Sequence, residues 1–277
     1  MTATFTTPDL KSTAKRIRRH IVQMTSAAQS GHPGGSLSAV EILTALYFGG
    51  VLRYDPARPD WPDRDRFVLS KGHATPVIYA TLAEAGYFSP DILPTFRQLD
   101  SLLQGHTIRG KPPGVEMSGG ALGMGLSFCI GQALAARLDQ RPSRLYCLLG
   151  DGECNEGQVW EAALSAAHFE MDTITAIVDR NHFQNDGPED EILRLWDVAD
   201  KFRAFGWHAI HVEDGHDIDA LLAAFVETAQ ITGKPQVIVA ETTKGKGVSY
   251  MEANPAAWHG KGPSHEQLEQ ALQEIGE

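Results

Sequence analysis

Two short apolar runs, residues 145–149 and 174–178, joined by one helix-period segment at 156–169, constrain this chain more than any other feature. Two strands joined through a single helix form a parallel crossover, so both strand ends open on the same edge of a sheet. The first run ends in Gly150-Asp151-Gly152-Glu153 and the second in Arg180-Asn181-His182-Phe183. The crossover therefore brings Asp151 and Asn181 together. A carboxylate, an amide oxygen and a backbone carbonyl suit Mg²⁺, a hard cation often shared with substrate phosphates. Gly150 and Gly152 leave room for a diphosphate to approach the backbone, and the start of the next helix adds a favourable dipole. Alone, Gly-Asp-Gly would be only a tight turn. A second polar loop one crossover later makes the pair a candidate site.

Helix and strand patterns alternate through the rest of the 277 residues. A first helix is predicted over 9–29, with a solvated basic face. A glycine-rich turn at 30–35 follows, and Ser38-x-x-Glu41 reads as a capping box opening a second helix towards Phe48. Residues 66–70 read as a short buried strand, and 75–85 and 91–99 as helices. A long connection runs from 100 to 120, a length that is usually functional or mobile, and a helix follows over 122–138. After the central crossover come a loop over 183–196, a helix over 198–205, a strand over 208–212, a helix over 218–232, a strand over 236–240 and a terminal helix over 266–275. These five strands predict an α/β fold with a mostly parallel sheet between two helix layers, in one domain over residues 1–277. Ligands in such folds gather at the carboxyl ends of the strands.

Net charge is −11, which argues against a nucleic-acid partner. No apolar run reaches the length of a membrane span, and the basic N-terminus lacks the apolar block of a signal peptide. Three cysteines show no metal spacing and suit a cytoplasmic location. Cys129 and Cys147 read as core residues, and Cys154 as partly exposed.

Of eleven histidines, His32, His73, His106 and His259 lie beside glycine in loops that could converge on the strand-end edge. Each alone is more simply a polar loop residue. Together they could hydrogen-bond a diphosphate or move protons on sugar hydroxyls. His208 and His211 have odd spacing on a strand and face opposite ways. His168 reads as half-buried, and His20, His216 and His265 as surface or cap residues.

A Gly-Asp-Gly followed about thirty residues later by an asparagine resembles the thiamine-diphosphate motif. The segments Ser30-Gly31-His32-Pro33-Gly34, Ser70-Lys71-Gly72-His73, Gly105-His106, 114–125, 150–157 and 244–260 are similar to transketolase segments, in transketolase order, over nearly the whole chain. The resemblance implies the diphosphate-binding subunit of a split transketolase. It implies Mg²⁺ held by Asp151, Asn181 and the main-chain oxygen of Phe183, with thiamine diphosphate contacted by His73, His259 and Gly152 and bordered by Gly120, Ala121 and Leu122. His32 and His106 would line the sugar channel, and His32 and His259 would move protons on the acceptor side. Glu156 and Glu161 match acidic residues that link two cofactor sites across an interface, although both also read as helix-start and surface charge. Asp100 stands where many transketolases carry a histidine, which bears on the channel entrance.

The same resemblance implies that the pyrimidine-binding domain lies on a partner polypeptide, in an α2β2 assembly. The implied reaction is transfer of a two-carbon ketol unit from a ketose to an aldose. Xylulose 5-phosphate, apulose 4-phosphate and sulfonated sugars stay open as donors. The thiamine subunit of a 2-oxo-acid dehydrogenase complex, a deoxyxylulose-phosphate synthase-like enzyme and a non-catalytic cofactor-binding scaffold are the competing readings.

Overall fold

The structure, a computed structural model, describes residues 7–276. In chain order it runs through α1 (Thr7–Ala27), α2 (Pro33–Leu37), α3 (Val40–Phe48), β1 (Arg66–Leu69), α4 (Thr75–Glu84) and α5 (Met124–Leu138). The central crossover is β2 (Leu145–Gly150), α6 (Gly157–His168) and β3 (Ile174–Arg180). There follow α7 (Glu189–Ile192), α8 (Val198–Ala204), β4 (His208–Val212), α9 (Ile218–Thr228), β5 (Gln236–Glu241), α10 (Ser249–Glu252) and α11 (His265–Ile275). The five strands form one sheet in the order β1-β2-β3-β5-β4, and every pair is parallel.

Alternate residues of the central strands enter different cores. Leu145, Cys147 and Leu149 of β2 and Ile174, Ala176 and Val178 of β3 pack with α5, α6 and α8. Tyr146 and Leu148 of β2 and Ile177 of β3 pack with α1, α3, α4, α9 and α11. The period of two sends successive side chains to opposite faces, and here both faces are covered. These strands therefore read as continuous apolar runs rather than alternating ones. The α/β/α layering predicted from sequence is the observed fold. Among the described residues no helix is long and apolar enough to cross a membrane.

Several local expectations are corrected. Ser38 does not cap a helix. Its hydroxyl donates to Asp179 Oδ2 at 2.6 Å, and Ala39 stands at the N-cap of α3 without a side-chain bond. Glu41 binds Arg18 instead of closing a capping box. The helix expected over 91–99 is a 3₁₀ turn, Pro90–Thr95. Pro94 lies inside it and has no N–H for a longer ladder. Cys154 is fully buried rather than partly exposed, because it faces the core between β2 and α6. His168 is exposed at the end of α6, not half-buried. His216 is neither a surface nor a cap residue, since its side chain is only 9% exposed. His208 and His211 do diverge, binding Glu227 and Glu241 respectively.

Candidate active site

The site lies where β2 and β3 end side by side, with Gly150 in register with Asp179. Asp151 follows immediately and is buried. One carboxylate oxygen accepts from the N–H of Gly152 at 2.8 Å, the other from the N–H of His182 at 2.5 Å. Burial, helped by the nearby charge of Asp179, pushes the Asp151 carboxyl up to about 6, and the two N–H donors oppose that shift. Asn181, also buried, turns its Oδ1 to the N–H of Phe183 at 3.2 Å. Both residues line one cavity of about 500 Å³, together with Phe183, Gly152, His73, His259, Leu122 and Glu156.

Lys244 closes the floor of that cavity. Its ammonium donates to the carbonyls of Phe183 at 3.3 Å and Gln184 at 2.9 Å and to His259 Nδ1 at 3.0 Å. Burial lowers its pKa to about 8, against the attraction of Asp151. Because Nδ1 of His259 accepts, its proton sits on Nε2, which leaves an N–H donor on the other side of the ring. Burial first, then the neighbouring cations, lower His259 to about 3 and His32 to about 4, and His73 falls well below its usual range. All three rings are neutral at pH 7.

The four glycine-flanked histidines do converge. Ring centroids lie 5.1 Å apart for His32 and His73, 5.3 Å for His32 and His259, 5.1 Å for His73 and His259, and 6.2 Å for His32 and His106. His73 and His259 line the main cavity, while His106 opens on a neighbouring one of about 560 Å³ with Arg97 and Gly119. His32 bridges the two sets, and its buried Nδ1 has no hydrogen-bond partner in the chain. Gly120 and Ala121 lie outside both cavities and are exposed, and Leu122 alone of that trio lines the main one. Glu156 is exposed at the rim, at the N-cap of α6, and Glu161 is exposed one turn further on. Asp100 is exposed at a positive φ of 61°.

Sequence reasoning missed the buried ionic frame beneath the site. Asp179, inside β3, forms an ion pair with Lys71 and accepts from Ser38 and Thr242. Lys71 also donates to the Gly35 carbonyl at 2.7 Å. Glu153 accepts from Ser70, from the N–H of Gly123 at 2.8 Å and from the N–H of Gly150 at 3.0 Å. It thereby ties the ends of β1 and β2 to the start of α5. Gly125 is required there, since a Cβ would stand 2.4 Å from the Ser70 side chain. The available signal was a lone acid in an otherwise apolar strand, because a charge with no partner is not tolerated in such a place.

The residues suit a dication and a diphosphate. A fully buried carboxylate meets only backbone N–H groups, and the carbonyl of Phe183 already faces a cation. Gly35 leaves open the space that a Cβ would take 3.7 Å from His73 Nε2. Among the described residues no group of three His, Cys, Asp or Glu is arranged to hold a metal ion. Residues that would suit an anion and a cation at the carboxyl edge of a parallel sheet are the arrangement expected of a cofactor-binding α/β domain.

Comparison with known proteins gives the family. Residues 10–277 match the family described as transketolase, thiamine diphosphate binding domain, and the chain belongs to it. It is 39% identical over 269 residues to an apulose-4-phosphate transketolase subunit of Phocaeicola vulgatus, covering 97% of this chain and 94% of that one. It is 42% identical over 249 residues to the 6-deoxy-6-sulfo-D-fructose transketolase subunit SqwG of Clostridium sp. (strain MSTE9), covering 90% of each. Human transketolase is 42% identical over 268 residues, but this chain spans only 42% of its length. The fold superimposes on the transketolase of Campylobacter jejuni with a TM-score of 0.91 at 31% identity, covering 98% of this chain and 43% of that one. The chain is thus a transketolase-family N-terminal subunit with a thiamine-diphosphate-binding fold.

Proposed function

We propose that this chain is the diphosphate-binding subunit of a split transketolase. Together with a partner polypeptide it transfers a two-carbon ketol unit from a ketose to an aldose. Residues 1–277 form its single domain, and a pyrimidine-binding domain sits on the partner, in an α2β2 assembly. Supporting the partner is the near-full-length match to relatives named as transketolase subunits. All three of those names specify a phosphorylated or sulfo sugar, which supports a donor ketose that carries an anionic group.

The observation that carries the reading is the convergence of four histidines beside the cavity of Asp151 and Asn181. Asp151, Asn181 and the Phe183 carbonyl would hold Mg²⁺, which suits oxygen donors of this kind. His73, His259, Lys244 and the Gly152 backbone would hold the diphosphate, and Gly120, Ala121 and Leu122 would border the rings. When bound, thiamine diphosphate supplies the carbanion chemistry of carbon–carbon cleavage and formation. The protein's share is orientation and proton movement. His32 is neutral at pH 7 with an unpartnered buried nitrogen, so it can accept or donate one hydrogen bond to a sugar hydroxyl. His106, across the ring contact from His32, would hold a donor hydroxyl. His259, with Nδ1 engaged by Lys244, can offer only its Nε2 proton. Glu156 would link the site to that of a second copy.

The test is two-carbon transfer assayed with this chain by itself, with a candidate partner by itself and with the pair. Transfer only from the pair supports the reading, and decarboxylation of 2-oxo acids instead would overturn it. In the active pair, His106→Ala should lower donor turnover by about a hundredfold while leaving thiamine diphosphate affinity within about threefold. Equal losses in both would remove His106 from the sugar channel.

A further inference from the structure

Lys244 makes its three contacts from a glycine-flanked loop, 242–248, and that loop is anchored on both sides. Thr242 N donates to the Arg180 carbonyl at 2.9 Å, and Gly245 N to the Gly34 carbonyl at 3.0 Å. Between these anchors, Thr243 N donates to His216 Nε2 at 2.8 Å. An N–H donor on Nε2 fixes the imidazole proton on Nδ1. That proton goes to Glu41 Oε2 at 2.9 Å. Glu41 in turn takes a forked pair from Arg18, at 2.5 and 2.6 Å. Arg18 Nε closes the circuit by donating to the Lys246 carbonyl at 3.1 Å.

The circuit therefore grips the loop one residue before Lys244 and two residues after it. None of its side chains lines the main cavity. All three are nearly enclosed, with side-chain exposures of 9% for His216, 8% for Glu41 and 10% for Arg18. The backbone before His216 is fitted to the same strand end. Gly215 N donates to the Glu241 carbonyl at 2.6 Å, and a Cβ on Gly215 would stand 2.7 Å from Thr242.

We propose that His216 is a positioning residue: as the acceptor for the Thr243 N–H, held in one tautomer by Glu41 and Arg18, it sets the loop from which Lys244 reaches the Phe183 and Gln184 carbonyls and His259. The consequence for cofactor binding rests on the transketolase reading above, whereas the tether itself does not. Without an acceptor at His216 Nε2 the partly buried Thr243 N–H must find another partner, which frees the loop to shift.

Two isosteric substitutions separate this role from simple packing against Glu41. In His216→Asn the amide reaches the place of Nδ1, so it serves Glu41 and abandons Thr243. In His216→Gln the amide reaches the place of Nε2, so it serves Thr243 and abandons Glu41. In the full-length chain, limited acylation with acetic anhydride, read by mass spectrometry, reports access to Lys244 relative to exposed lysines. Hydrogen exchange reports on 242–248. His216→Asn should raise the Lys244 acylation rate and the exchange of 242–248 about tenfold, the worth of one hydrogen bond. His216→Gln should stay within about twofold of the parent. The reverse order, or no change in either, overturns the proposal.

The unsubstituted chain offers a check that does not depend on variants folding. Its ¹⁵N-histidine spectrum should show His216 protonated at Nδ1 and not at Nε2, and an Nε2 proton would also sink the idea. Calorimetry with thiamine diphosphate and Mg²⁺ then extends the test, with affinity falling about tenfold in His216→Asn only. If the unsubstituted chain and its assembled pair bind no thiamine diphosphate, the transketolase reading fails while the acylation result still decides the role of His216.

Discussion

Asp179 and Asp151 are both buried carboxylates at the ends of neighbouring strands, yet they are treated in opposite ways. Asp179 has a cation and two hydroxyls, from Lys71, Ser38 and Thr242. Burial alone would raise its pKa, but these partners outweigh burial and hold it below the usual carboxylate range. Asp151 has only two backbone N–H donors, and burial wins, taking it up to about 6. The first charge is balanced by the fold. The second is stabilised too little by the chain itself, as would suit a ligand for an added dication, and its cost falls on the apo protein. The comparison also explains why the two can sit so close. Lys71 neutralises Asp179, so a cation at Asp151 need answer only one net charge.

The sharpest way to break this comparison is to substitute each acid in turn. Asp179→Ala leaves the Lys71 ammonium buried without its partner. Removing one half of a buried pair costs about 3–5 kcal/mol, which denaturant unfolding should register as a large drop in midpoint. Asp151→Asn should move stability the other way. A carboxyl whose pKa rises on folding holds more protons in the native state between pH 3.8 and about 6. Stability therefore falls as pH rises through that window, and above it the full penalty of about 3 kcal/mol applies. Asparagine removes the charge but loses about one hydrogen bond worth roughly 1 kcal/mol. The expected net at pH 7.5 is a gain of about 2 kcal/mol in the apo chain. Thiamine diphosphate with Mg²⁺ should stabilise the parent chain and fail to stabilise the Asn variant. A loss of apo stability comparable to that of Asp179→Ala would erase the distinction between the two acids.

A second pH effect comes from the histidines, whose linkage runs against that of Asp151. The unfolded chain binds a proton on each histidine near pH 6.5. In the native state His32 waits until about pH 4 and His259 until about pH 3. The unfolded state then holds more protons over these ranges, so stability should fall as pH drops from about 6.5 towards 4, and His259 should extend the fall towards 3. A series of thermal melts on the apo chain should show this slope, and the double variant His32→Gln/His259→Gln should make it shallower, with His73, also lowered by burial, keeping part of it. A double variant that keeps the parent's slope would place the acid sensitivity elsewhere.

The strand-end site was legible in sequence because its elements are local. Asp151 and Asn181 follow two apolar runs separated by one helix, and the four histidines each sit in a glycine-flanked loop. What was not legible depends on pairings that sequence spacing does not report. Lys71 meets Asp179 across 108 residues, and His216 meets Glu41 across 175. Read locally, Ser38 and Glu41 satisfy the pattern of a capping box and His216 that of a surface or cap residue. Tertiary partners took all three side chains away from those local roles. The supposed helix over 91–99 failed for a local reason that was visible, Pro94, while Cys154 was misjudged because a polar loop sequence hides the apolar space behind it. Gly120 and Ala121 carry a family resemblance, but within this chain they are exposed and line neither the main cavity nor its neighbour.

The smallest effect is expected at His182, where backbone and side chain belong to different regions. Its N–H donates to Asp151, while its imidazole binds Glu241 at 2.5 Å on the surface. That hydrogen bond raises the pKa of His182, and the attraction of Glu241 adds to it. A histidine raised on folding adds stability that is complete below its unfolded value and is lost as pH rises through the folded one. Half of the side chain is exposed, however, and solvent screening limits such a pair to less than about 1 kcal/mol. His182→Ala keeps the backbone donor and removes only the surface pair. Unfolding at pH 6 should shift by less than about 1 kcal/mol, with almost no shift at pH 9, and affinity for thiamine diphosphate with Mg²⁺ should stay within about twofold. A large loss of affinity would mean that the imidazole, and not only the amide beside Asn181, supports Asp151. The contrast between a balanced and an unbalanced acid would then need a third participant.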